Sequence, residues 1–188
     1  MRRSVLVFAV AAALAGCGNG RARVPDTATP GPPLGTNAAA YPQAGLRFGA
    51  PAGWHVEPGR APLVTTITTG RATIAVWRYP RTEPLPATGA QLEQARAALL
   101  AAAKARDASF AEHRTTVTRV DGRPAIVVRG TETLAGQPRT VRSTHVYAFG
   151  GEVVVDAFAP ARDFARVDRQ VFGPLVRSLR LSKPRAAG

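Results

Sequence analysis

Three turn signals, Asp121-Gly122, Ala135-Gly136-Gln137-Pro138 and Gly150-Gly151, punctuate the stretch from residue 114 to residue 159. Between them lie four runs, about 114–120, 124–133, 139–149 and 152–159, rich in Val, Thr, Ile, Tyr and Phe. Short turns between such runs join antiparallel neighbours, so these residues predict a four-stranded meander. Ala125–Val128 and Val153–Val155 are continuous apolar runs. A strand apolar at every position, not every second one, is expected to be covered on both faces.

Two elements are available to cover those faces. Thr88-Gly89-Ala90-Gln91 matches a capping box, and Leu92, Ala95, Leu99 and Ala103 follow at helical spacing to about Arg106. Near the end of the chain Phe164, Val167, Val171, Leu175 and Leu179 form a second stripe, which Gly173-Pro174 should break or kink. Upstream, the runs 46–48, 54–57, 63–68 and 72–79 read as strands joined by the turns 50–53 and 69–71. The expectation is an α+β fold, an α/β/α sandwich in which an antiparallel sheet carries helices on both faces. Residues 46–182 supply this domain, and 183–188 read as a disordered tail.

The N-terminus is of another kind. Met1-Arg2-Arg3 is a short cationic segment, and Val5–Leu14 holds ten apolar residues without a charge. That length suits the core of an export signal and falls short of the ~20 residues a membrane-spanning helix needs. Cys17, the one cysteine, follows in Leu14-Ala15-Gly16-Cys17. This resembles the lipobox of bacterial lipoproteins. The resemblance implies removal of residues 1–16, attachment of a diacylglycerol to the Cys17 thiol, and residence on the extracytoplasmic face of a cell membrane. Two or more acyl chains at ~0.8 kcal/mol per buried CH₂ hold a protein stably. Residues 17–45 contain five prolines and almost no large apolar residue, and read as a disordered tether of about 30 Å mean span.

The mature chain would contain no second thiol, which excludes an internal disulfide and any cysteine-based metal site. The sequence has 25 Lys+Arg against 12 Asp+Glu, and loss of Arg2 and Arg3 leaves a net charge of +11. Only Lys104 and Lys183 are lysines, and the arginines are scattered, not clustered. A basic surface suits anionic lipid or a cell-wall polymer. The exported address and the scatter argue against nucleic acid.

"LRFGAPAGWHV" at residues 46–56, "VDGRPAIVVRG" at 120–130 and "APARDFARVDRQVFGPLVRSLRL" at 159–181 together resemble PsbP-like proteins. The resemblance implies the same sandwich, and a family that works through surface contacts. Pro51, Gly53 and Trp54 are then a structural turn followed by a core aromatic.

No catalytic motif accompanies the three histidines, His55, His113 and His145. There is no HExxH, no GxSxG elbow, no Walker A and no GxGxxG, so neither a metal nor a cofactor is expected. One polar cluster stands out. With Gly150-Gly151 as the hairpin turn, His145 faces Asp156 across the strands, and Ser143 shares their face. The spacing of residues i and i+2 on a strand, ~6.5–7 Å, argues against a Ser-His-Asp triad. The sequence therefore predicts a non-catalytic binding or interaction module of the cell envelope, its target an envelope protein, a lipid or a cell-wall component. An envelope hydrolase or accessory enzyme with a site assembled from dispersed residues is the alternative.

Overall fold

The computed structural model describes residues 34–185, with side chains from Ala38 onward. The export signal, Cys17 and the tether up to residue 33 lie outside the described residues. Seven strands form one antiparallel sheet in the order β3-β4-β5-β9-β8-β7-β6. Its members are β3 (His55–Pro58), β4 (Leu63–Thr69), β5 (Ala72–Pro80), β6 (Ala111–Val120), β7 (Arg123–Leu134), β8 (Gln137–Ala148) and β9 (Gly151–Ala159). The meander is present, and β9 joins it to the earlier hairpins through β5. All nine residues of β9 are buried, as are Ala125–Val128, in keeping with the doubly covered strands that their apolar runs predict.

Helix α1 (Gly89–Arg106) lies on one face, with Leu92 and Ala103 buried against Ile126, Val128, Tyr147 and Phe158. Its capping box is formed. The Gln91 amide donates to Thr88 Oγ1 at 3.3 Å, and the Thr88 amide donates to Gln91 Oε1 at 3.0 Å. The other face carries α2 (Ala161–Val167), a π-turn (Asp168–Phe172) and α3 (Gly173–Ser178). Phe164, Val167, Phe172 and Leu175 pack there on Val146, Val153 and Val155. The helix changes character where Gly173-Pro174 was expected to interrupt it, and Pro174 lies in the first turn of α3, where its missing N–H costs nothing. The α/β/α sandwich is the observed architecture.

Two features depart from expectation. Leu34–Tyr41, assigned to the tether, forms β1, and 42–44 form a 3₁₀ turn. β1 pairs with β2 (Leu46–Pro51), which also pairs with β10 (Arg180–Leu181) in a separate three-stranded sheet. The domain thus includes residues from Leu34, upstream of Leu46. A strand of small residues such as "LGTNAAAY" carries no apolar alternation to reveal it. Beyond β10, the Arg185 amide donates to the Pro42 carbonyl at 2.9 Å, so residues 183–185, expected in the tail, lie against the domain.

Candidate functional site

The β8–β9 turn decides the geometry of the polar cluster. Its two central residues are Phe149 and Gly150, both left-handed at φ +51° and +68°, while Gly151 already belongs to β9. The register therefore shifts by two residues from the one a Gly150-Gly151 turn implies. His145 faces Val154, and Asp156 faces Ser143. A two-residue shift keeps every side chain on its face. Ser143, His145, Glu152 and Asp156 accordingly share the face beneath α1, and His145 does not stand directly opposite Asp156.

Ser143 stands between them. Its Oγ lies 2.5 Å from Asp156 Oδ1 and 2.9 Å from His145 Nε2. The ring's other nitrogen, Nδ1, lies 2.6 Å from Glu152 Oε1, and Arg81 donates to Glu152 Oε2 from the outer side. The hydroxyl therefore does reach the ring, contrary to the spacing argument, because side chains lean along a strand and close part of the i, i+2 gap. His145, Glu152 and Asp156 are buried, at 6%, 2% and 3% exposure. Burial works to raise the Glu152 carboxyl, but the hydrogen bond and charge of His145, then those of Arg81, outweigh it and hold it below its ordinary 4.5. Burial also pushes the neighbouring Tyr147 phenol upward.

The order Ser143–His145–Glu152 is that of a nucleophile, a base and an orienting acid, but the proton count differs from a catalytic triad's. A hydroxyl donates one proton, and an ionised carboxylate only accepts. The Ser143 hydroxyl directs its one proton to Asp156 Oδ1 at 2.5 Å, which leaves it none to offer Nε2 in this arrangement. β8 is also paired on both edges, with β7 and β9, which commits its own backbone amides to the ladders. The adjoining cavity, about 100 Å³, is lined by Leu99, Ala103, Arg106 and Phe110 besides the polar residues. The alanine-rich face of α1 does not fill the space above the sheet.

The remaining predicted residues lie elsewhere. His55 is exposed and meets Glu57 at 2.9 Å, and His113 meets Thr131 Oγ1 at 3.0 Å. Among the described residues no three His, Cys, Asp or Glu side chains gather as a metal site. Gly53 takes φ +75° in the turn after Pro51, a conformation open to glycine. Trp54 is buried edge-on against Phe172, with ring centroids 6.5 Å apart.

The opposite face of the sheet holds a larger feature. A cleft of about 720 Å³ opens between the 3₁₀ turn, the β3–β4 connection and the β8–β9 turn. Tyr41, Ala61, Pro62, Leu63, Val64 and Phe149 supply apolar wall, and Arg78 lines it from β5. Burial lowers the Arg78 guanidinium from its ordinary value. Arg78, Arg81 and Glu152 were missed in the sequence. The available signal was an arginine within "ATIAVWRYP", at the parity of Ile74 and Val76, a position that faces inward.

The chain resembles several solved structures. Cyanobacterial PsbP from Synechocystis superimposes with a TM-score of 0.62 at 12% identity, over 78% of this chain and 92% of that one. It has a PsbP-like fold. The Ran-binding protein Mog1p of Saccharomyces cerevisiae matches with a TM-score of 0.54 at 7% identity, over 80% of this chain and 97% of its own. LpqN, a protein involved in cell envelope biogenesis of Mycobacterium tuberculosis, matches with 0.51 at 15% identity, over 73% and 83%. No family model and no curated protein matches the sequence. At these identities the likeness establishes the fold, and one fold hosts many functions.

Proposed function

We propose that this protein is a lipid-anchored binding module on the extracytoplasmic face of the cell membrane, tethered through Cys17 and taking an apolar ligand into the cleft beside Arg78. The observation that carries the binding reading is the cleft itself. Its 720 Å³ falls in the range of small-molecule sites, and its walls are mostly apolar with few polar groups. The address rests on the lipobox-like Leu14–Cys17 and the uncharged segment before it. The structural likeness to LpqN, a protein involved in cell envelope biogenesis, supports that address. Among the described residues no helix is long and apolar enough to cross a membrane.

The test uses the full chain carrying Cys17→Ser, titrated with decanol as a neutral alkyl probe. The Leu63 and Val64 methyl resonances should shift and saturate. Ala61→Trp, at an exposed position on the rim, should abolish the shifts by filling the cleft. Unmoved methyl resonances in the parent chain would reject the cleft as a binding site.

A hydrolase is the second reading, and the continuous Ser143–His145–Glu152 hydrogen-bond chain favours it. Ester hydrolysis by the purified chain that vanishes in Ser143→Ala would establish it.

A further inference from the structure

Arg78 is more than an apolar cleft requires. It is 9% exposed, and its Nη2 donates to the carbonyls of Ala148 and Phe149 at 3.1 and 2.8 Å. Its Nη1 is buried with no hydrogen-bond partner, and among the described residues no carboxylate pairs with the guanidinium. Other half-buried arginines have carboxylates: Arg81 has Glu152, Arg106 has Glu132, and Arg129 and Arg142 share Asp168. A buried charge without a counter-ion is strongly unfavourable, and a guanidinium presents a planar fork that fits carboxylate and phosphate oxygens.

The strands make room for this group. A Cβ on Gly151 would lie 2.8 Å from Arg78 Nε and 3.0 Å from Nη2, so β9 carries no side chain where the guanidinium lies. The Phe149–Gly150 turn, closed by Nη2 through the Phe149 carbonyl, brings Phe149 and Gly150 to the cleft wall beside it. Arg78 thus lines a 720 Å³ apolar cleft, and its one unpartnered group, Nη1, is buried within that wall.

We infer that the cleft binds a single-chain amphiphile with an oxyanion head, a carboxylate or a phosphate, whose charge pairs with Arg78 while its tail lies along the apolar walls. This rests on the cleft being a binding site, and it names the chemistry of the occupant. The head supplies the missing counter-charge, and the tail removes the wall of Tyr41, Pro62, Leu63 and Val64 from water. An amphiphile with a neutral head lacks the first contribution. A free phosphate lacks the second.

The experiment compares decanoate with decanol on the full chain carrying Cys17→Ser, at pH 7 and fixed ionic strength. Decanoate is expected to bind at least tenfold more tightly, with inorganic phosphate alone giving no saturable shift of the Leu63 and Val64 methyl resonances. Arg78→Gln should bring decanoate down to the affinity of decanol. Arg162→Gln, at an exposed site, should leave the preference intact and so exclude a general effect of the positive net charge. The head-group comparison on the parent chain remains decisive if Arg78→Gln does not fold. Equal binding of the two probes would overturn the anion inference and leave the cleft reading standing. Absence of binding by either would overturn both. Saturable binding of phosphate as tight as decanoate would make this an anion site with no amphiphile.

Discussion

Ser143 stands directly across the β8–β9 pair from Asp156, and its hydroxyl reaches both that carboxylate, at 2.5 Å, and the ring of His145, at 2.9 Å. The serine thereby links two side chains that do not stand directly opposite each other. Asp156, Ser143, His145, Glu152 and Arg81 form one chain of contacts running outward from beneath α1.

Removing the middle of that chain should cost stability. His145→Ala leaves the buried Glu152 with Arg81 alone, and is expected to cost about 1–3 kcal/mol. Ser143→Ala should cost less, about 1 kcal/mol, because Asp156 makes a further interaction. Urea denaturation at pH 7 measures both. A neutral His145→Ala would mean that the Nδ1–Glu152 contact stabilises nothing.

Acid should expose the contribution of Glu152. Its carboxyl is held below 4.5 in the fold, so the folded state binds fewer protons there than the unfolded state. The stabilisation is fully present above the unfolded value and is lost as pH falls through the folded one. Urea midpoints taken from pH 7 down to pH 3 should therefore fall less steeply below 4.5 in Glu152→Gln than in the parent chain. Parallel curves would show that other carboxylates govern the acid limb.

Gly151→Ala places a methyl group 2.8 Å from both Arg78 Nε and the Tyr79 carbonyl. The backbone oxygen cannot move away cheaply, so the substitution should cost about 1–3 kcal/mol. Thermal unfolding reads the loss. An unchanged melting temperature would show that β9 can part from β5 at this end at no cost.

Cys17→Ser should leave unprocessed precursor in cells and prevent attachment of lipid. Mass spectrometry of the membrane and soluble fractions checks this. A variant cleaved and retained like the parent chain would refute the anchor and the address that depends on it.

The fold was legible in the sequence because its signals are local. Asp121-Gly122 sits at φ +50° and +71°, and Ala135-Gly136 at +52° and +75°, where a two-residue hairpin needs both residues left-handed. The Thr88–Gln91 capping box likewise needs only four consecutive residues. The third turn shows where local signals fail. Gly150-Gly151 is the stronger turn composition, yet Phe149 takes the first left-handed position, with the Arg123 guanidinium 4.4 Å above its ring. Gly151 is instead a strand residue whose missing side chain accommodates Arg78, a residue 73 positions away in the chain.

Sequence alone determined the strands of the seven-stranded sheet, the two helical covers, the two covered faces and the shared side of Ser143, His145 and Asp156. Each of these follows from a period of two or 3.6 residues, or from turn chemistry, and a register shift of two preserves the face. Tertiary structure decided which atoms meet. Ser143 Oγ reaches His145 through side-chain direction, β1 is held by pairing with β2, and Arg78 lines the cleft because β5 and β9 are neighbours. Those outcomes depend on contacts between segments far apart in the chain, and no local pattern records which distant backbone will stand alongside.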